Sequence, residues 1–365
     1  FALRLSPDDL EAVAAQLYVE MLKSGFSVVG EFQYLHHQPD GTPYAEPAEM
    51  SLRCLAAADA AGIGITILPT LYAFGGFGGQ PPVEGQRRFI NDADRFLRIY
   101  EALAEKVGPL VRAGISPHSL RAVTPEGLAI AASLRPKAPI HIHIAEQVAE
   151  VEELLAHTGA RPVEWLLAHA AVDGRWCPIH CTQMTPAETT ALARSGAVAG
   201  LCPVTEANLG DGIFDGVNWA QAGGAFGVGT DSNVQITLTG ELRLYEYSQR
   251  LRDKGRAMLA TEAQSTGRVL WQGAAAGGAQ AAGRAAGAIA PGLWADLVAL
   301  DDTALALDGR QGDEVLDAAI FAAGEGLVTD LWSAGRHIVT QGRHIARDAI
   351  AARYRAVMAD LRGRL

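Results

Sequence analysis

Residues 140–181 read IHIHIAEQVAEVEELLAHTGARPVEWLLAHAAVDGRWCPIHC and contain the smallest complete piece of the fold. A short apolar run, IHIHIA (140–145), alternates with period two and suits a strand. EQVAEVEELLAHTG then has helical character and stops at Gly159, as helices closed by a left-handed glycine do. WCPIHC (176–181) is a second apolar run, so the order is strand, helix, strand, the pattern of a parallel sheet. The stretch also poses a question. His141, His143 and Glu146 put three polar groups on or beside one short strand, and a single unsatisfied buried imidazole or carboxylate costs on the order of a few kcal/mol. Either something is bound there, or the stretch is not buried.

The same alternation runs outward from residue 7 to about 270. Strands are expected at 26–34, 64–72, 110–118, 140–145, 176–181, 197–202 and 224–230. Helices fill the gaps and close on Gly62, Gly108, Gly159 and Gly196. Ser6 followed by Pro7 and acidic residues starts a helix near the beginning of the chain, and Thr185 starts another. Loops that follow strands are longer than those that precede them, above all AFGGFGGQPPVEGQ (73–86) and PVTEANLGDGIFD (203–215). These are the loops that build the site of an α/β barrel. The expected fold is therefore α/β, a (β/α)8 barrel over residues 1–282. Seven strand runs are visible where a closed barrel takes eight, and since the chain opens on a helix the first strand is the expected absentee. After residue 283 short Gly-punctuated strands indicate a small β-sandwich portion (283–345), followed by a C-terminal helix (346–365).

Composition excludes several classes. The 365 residues carry 30 Lys and Arg against 41 Asp and Glu, a net charge of −11 with no basic stripe, which speaks against a nucleic-acid partner. No run of about 20 apolar residues suggests a membrane span, and FALRLSPDDLEAV is not a leader sequence. Cys54, Cys177, Cys181 and Cys202 suit a reducing compartment, expected to be the cytoplasm, and the C-x3-C of Cys177 and Cys181 reads as a pair of small core residues. The glycines of FGGFGGQ are not followed by Lys-Ser/Thr and do not make a phosphate loop.

Polar residues at the ends of the strand runs form the candidate list: Gln33 and Tyr34, Tyr72, His118 and Arg121, His141, His143 and Glu146, His180, Thr205 with Glu206 and Asn208, and Asp231 with Ser232. In a parallel barrel these ends converge on one mouth. His143 and Asp231 offer the nitrogen and carboxylate donors that zinc takes, although a catalytic zinc uses about three protein ligands. Taken alone, any of these histidines reads as a hydrogen-bonded core residue. Glu146, where strand passes into helix, suits proton transfer or, as an alternative, helix capping. His141 shares a face with His143 and either touches the site or supports it. Arg121 can pair with a substrate carboxylate in a bidentate manner or form an interloop salt bridge. The adjacent His36 and His37 point to opposite faces and do not make a ligand pair.

HIHIAE, WCPIHC, LCPVTEANLGDGIF, GVGTDS, GAIAPGLWADLVALD and AGRHIVTQGRH together resemble the amidohydrolase superfamily in its mononuclear-zinc deaminase branch. GEFQYLHH, LYAFGGFGGQPPVEGQRRFIN, HSLRAVTP and HIHIAEQ narrow the resemblance to the formimidoylglutamate deiminases of bacterial histidine degradation, across essentially the whole chain. The resemblance implies one divalent metal, zinc first, held by His143 and Asp231. It implies catalysis by Glu146 as proton shuttle, His180 as stabiliser of the attacked group and Asp231 as acceptor of the water proton. Tyr72, His118 and Arg121 would hold the carboxylates of a small anionic substrate, formimino-glutamate, which is hydrolysed to formyl-glutamate and ammonia. The family's first strand ends in an H-x-H that supplies two further ligands, and this chain does not show it. A homodimer is expected. The rival readings are another member of the branch, such as an imidazolonepropionase or nucleobase aminohydrolase, and a metal-free barrel acting as a binding protein.

Overall fold

The computed structural model describes residues 3–364. Parallel strands β1 (Val28–Gln33), β2 (Gly64–Leu71), β3 (Val111–Ala113), β4 (Ser116–Pro117), β5 (Ile140–Ile144), β6 (Trp176–His180), β7 (Val198–Leu201) and β8 (Ala225–Val228) build the barrel. β3 and β4 both pair with β2 and form one strand broken at Gly114 and Ile115. Bridges Ile115–Ile140 and Ser119–His143 carry the sheet on to β5, and β5 to β8 follow in sequence order. Among the described residues the path thus has seven strand positions, and β1 and β8 share no ladder. All seven expected strand runs are found. β2 and β6 are short apolar runs buried on both faces, with every residue buried; β1 and β3 are only partly covered.

The helices are α1 (Pro7–Lys23), α2 (Glu49–Ala61), α3 (Ala93–Ala104), α4 (Pro125–Ser133), α5 (Val148–Thr158), α6 (Pro162–His169), α7 (Pro186–Arg194), α8 (Pro203–Leu209), α9 (Gly216–Gln221), α10 (Leu238–Asp253), α11 (Thr266–Ala281), α12 (Asp313–Phe321) and α13 (Arg347–Arg364). Ser6 and Thr185 cap α1 and α7 in capping boxes, each with Pro in the first turn. α3 stops short of Gly108, the expected terminus. Its buried face is Phe96, Ile99, Tyr100 and Leu103; beyond Leu103 the chain offers Glu105, Lys106 and Val107, all exposed, so further helix would bury nothing.

α11 lies against β8 so closely that a Cβ on Gly277 would come within 2.0 Å of the Phe226 carbonyl oxygen. Its last carbonyls, which have no partner inside the helix, are used by the barrel floor. Thr66 Oγ1 donates to Ala282 O at 2.7 Å, and the His141 Nε2 proton goes to Ala281 O at 2.8 Å. Beyond α11, the strands β9 (Leu297–Leu300), β10 (Val328–Ser333), β11 (Arg336–Thr340) and β12 (Arg343–His344) form an antiparallel sheet in the order β12-β11-β10-β9, with α12 between β9 and β10 in sequence. A buried pair, Arg284 with Asp296 at 2.9 Å, ties this sheet to the end of α11. α13 packs on α1, where Arg364 meets Asp9 at 2.9 Å. No helix of the described residues is long and apolar enough to cross a membrane.

Candidate active site

The mouth is lined by a row of rings. Tyr72 and His118 lie 4.4 Å apart between centroids, His118 and His143 4.8 Å, and His143 and His180 5.8 Å. Four strands contribute one ring each, so the barrel brings together residues more than a hundred positions apart.

His143 is set up as a donor. Its Nδ1 proton goes to His118 O at 2.9 Å, which leaves the Nε2 lone pair free. Burial first, and then the charge of His180, pushes its pKa down to about 3, so the ring is neutral across the physiological range. A ring nitrogen fixed by a backbone carbonyl is the usual support of a metal-binding histidine. Asp231, exposed at the end of β8, makes no hydrogen bond or ion pair among the described residues. These two unspent donors are of the kinds a divalent metal takes, one short of the roughly three protein ligands of a catalytic zinc. Cys202, His180 and Glu206 also bring ligand atoms within 4.8 Å of one another. That trio is already engaged internally, since Glu206 Oε1 accepts both the Cys202 N–H at 2.8 Å and the His180 Nδ1 proton at 3.3 Å.

The Glu146 side chain does not cap α5, whose N-terminus carries no side-chain cap bond; Glu150 accepts from Ala145 N and Glu146 N at 3.1 and 2.9 Å and holds the turn that leads into the helix. Thr182 donates to the carbonyl of Glu146, and Gln147 is held by Asp211 at 2.9 Å. The Glu146 carboxylate faces His180 Nε2 at 3.7 Å. Burial first raises its pKa; Asp211 and Asp231 add to the rise, and His180 and Arg121 oppose it. For His180, burial works against the charged ring, but the Glu206 hydrogen bond and the carboxylates of Glu146, Glu206 and Asp231 prevail and raise it.

At the end of β4, burial first and then the charges of His143 and Arg121 hold the His118 pKa well below its usual value. His118 Nδ1 meets Ser119 Oγ at 2.9 Å. The half-buried Arg121 guanidinium makes no hydrogen bond or ion pair among the described residues, so the alternative of an interloop bridge is not seen there. Tyr72 is 5% exposed and its hydroxyl takes a proton from Gln86 Nε2 at 2.9 Å. Tyr34, at the end of β1, is 36% exposed, sits edge-on to His118 at 5.8 Å, and its hydroxyl has no hydrogen-bond partner among the described residues. Tyr34 therefore reaches the mouth more freely than Tyr72, although the two have the same strand-end signature. His141 lies below, bonded to the floor, and His36 and His37 bond the backbone oxygens of Thr70 and Ile90.

The Amidohydrolase family model matches residues 2–338. The formimidoylglutamate deiminase of Pseudomonas aeruginosa is 49% identical over 98% of this chain and 80% of its own length. An amidohydrolase structure from Brucella melitensis superposes with a TM-score of 0.94 at 51% identity, covering 99% of this chain and 80% of the other. A zinc-bound adenosine deaminase structure from Xanthomonas campestris, at 23% identity, shares the fold with a TM-score of 0.82 over 99% of this chain and 77% of its own. The chain belongs to the amidohydrolase family. It is a hydrolase of that family, acting on C–N bonds.

Proposed function

We propose that this protein hydrolyses N-formimino-L-glutamate to N-formyl-L-glutamate and ammonia. The carrying observation is an unpaired Arg121 guanidinium whose charge reaches Glu146 of the Glu146–His180 pair, in a chain 49% identical to a formimidoylglutamate deiminase over almost its whole length. A dicarboxylate with an amidine at one end matches that division: a cation for its carboxylates, acids and bases for its nitrogen.

His143 Nε2 and Asp231 are the residues that would hold a divalent metal, zinc first. When bound, such a metal supplies a water acidified to a pKa of about 7. Asp231 takes a proton from the attacking water, and Glu146 passes protons to the amidine nitrogen. The water oxygen becomes the formyl oxygen, both water hydrogens leave on the nitrogen, and the C–N bond breaks to release ammonia. His180 Nε2, beside Glu146, stabilises charge on the attacked group. Arg121, His118 and the Tyr34 hydroxyl receive the carboxylates, and Tyr72 braces His118. Four buried free cysteines support a reducing, cytoplasmic setting.

The test is ammonia release by the purified, metal-supplemented protein from formimino-glutamate and from formamidine, which lacks the carboxylates. Turnover of the first with little of the second is expected. No release from formimino-glutamate, with metal bound, would sink the reading.

A further inference from the structure

Glu206 lies at the start of α8, buried at 4% exposure, with one oxygen placed between two donors: the Cys202 amide at 2.8 Å and the His180 ring at 3.3 Å. The backbone bond alone describes a helix cap. The ring bond is different, because it spans 26 residues and reaches the one imidazole that faces Glu146.

His180 also sits on a left-handed backbone, with φ of 70°, followed by Cys181 at 56°. That turn presents the ring edge-on between two carboxylates, Glu146 at Nε2 and Glu206 at Nδ1. A neutral imidazole in water prefers the proton on Nε2, whereas a carboxylate at Nδ1 holds it there; the hydrogen bond on one ring nitrogen decides what the other can do.

We propose that Glu206 is a positioning residue for His180: it accepts the Nδ1 proton, fixes the ring's orientation and tautomer, and so delivers a defined Nε2 edge to Glu146 and the reacting group. The role rests on the deiminase reading for its kinetic consequence but not for its ring-state consequence, so the test has two arms.

In the first arm, Glu206→Gln keeps an oxygen for the Cys202 amide but loses the charge on the ring. It is expected to lower kcat about 10-fold or more, the usual scale for a supporting partner of a site histidine, with KM within about twofold. In a His180→Asn background the same change is expected to cost nothing further, since coupled residues are not additive. A purely capping role predicts an unchanged kcat for Glu206→Gln, or equal losses in both backgrounds, and either result overturns the proposal.

The second arm needs no turnover. Nitrogen-15 spectra of the histidine-labelled full chain are expected to show His180 protonated at Nδ1, and to lose that state in Glu206→Ala, with Glu206→Gln intermediate. A His180 protonated at Nε2 alone in the parent protein overturns the proposal even if the kinetics agree. If the protein proves to act on another substrate, or if the His180→Asn background is silent, the ring state still decides the matter. Failure of the deiminase assay with a normal Nδ1 signal would count against the substrate and not against Glu206.

Discussion

At the mouth, β1 to β4 end in Tyr34, Tyr72, His118 and Arg121, whereas β5 to β8 end in His143, Glu146, His180, Glu206 and Asp231. The two halves differ in backbone as well as in charge. The non-glycine residues with left-handed φ include Ala145 (51°), His180 (70°), Cys181 (56°) and Asp231 (43°), all at ends of β5 to β8, and none among the described residues before Ala145. Such conformations cost about 1–3 kcal/mol each and persist where surrounding structure holds them. The first half thus presents its groups on relaxed backbone, suited to gripping a ligand that arrives in several poses. The second half sets His180 and Asp231, two of the residues proposed for the chemistry, on strained backbone, where small misplacements are costly to rate. On the proposed reading, binding and chemistry divide around the barrel mouth, between β1–β4 and β5–β8, and mutations in the two halves should separate KM from kcat.

The sharpest break would come at Glu146. Glu146→Gln keeps the shape and removes the proton carrier, so kcat is expected to fall by about 10²–10⁴ with KM little changed. Steady-state kinetics check it; a large KM change with a preserved kcat would put Glu146 in the binding half and dissolve the division.

A stability effect should follow next in size, from the surplus of negative charge in the second half. Glu241 is fully buried beneath the start of α8. Its Oε2 accepts from Val204 N at 2.9 Å, and its Oε1 has no partner. Burial first, then Glu206 and Asp231, pushes its pKa from 4.5 up to about 8. The native state therefore binds the proton more tightly than the unfolded chain. Its stabilising contribution is complete below about pH 4.5 and is lost as pH rises towards 8, by at most about 1.4 kcal/mol per pH unit. Glu241→Gln should be more stable than the parent at pH 8 by on the order of a few kcal/mol and no more stable at pH 4.5. Urea midpoints at the two pH values test this, and curves that stay parallel would show that the buried carboxyl is compensated.

Arg121 tests the first half. Hydrogen bonds to charged groups contribute about 1.5–3 kcal/mol, so Arg121→Ala should raise KM for formimino-glutamate about 10- to 100-fold while leaving kcat within a few-fold. Formamidine, without carboxylates, should not register the change. Equal losses on both compounds would show that Arg121 acts on the chemistry through Glu146, whose pKa it lowers.

How far the sequence reveals this division depends on what each residue needs from its neighbours. Strand runs such as GITILPTL and WCPIH are legible because burial on both faces demands mainly apolar residues, and polar groups at or just after their ends then stand out as mouth residues. His143, Glu146, His180 and Asp231 are found that way. What escapes is pairing across the barrel. Whether Glu146 caps its own helix is decided only in the fold, where no side chain caps α5, and Glu206 is one more polar residue after β7 until the fold sets it 3.3 Å from His180. The end of α3 escapes for a similar reason, since Gly108 looks like a terminus while the buried face has already run out at Leu103.

The smallest expected effect distinguishes two tyrosines that sequence alone leaves equivalent. Tyr72 follows β2 and Tyr34 follows β1, both beside His118. Gln86 already occupies the Tyr72 hydroxyl, while that of Tyr34 is unspent. A neutral hydrogen bond contributes about 0.5–1.5 kcal/mol, so Tyr34→Phe should raise KM about 2- to 12-fold by removing a group that meets substrate. Tyr72→Phe removes a bond inside the protein and leaves the ring against His118; it should lower the melting temperature slightly and hardly alter KM. Measuring both variants by kinetics and thermal melting separates the roles. If Tyr72→Phe raises KM and Tyr34→Phe does not, then Gln86 surrenders the Tyr72 hydroxyl when substrate binds, and the gripping half is less settled before binding than its relaxed backbone implies.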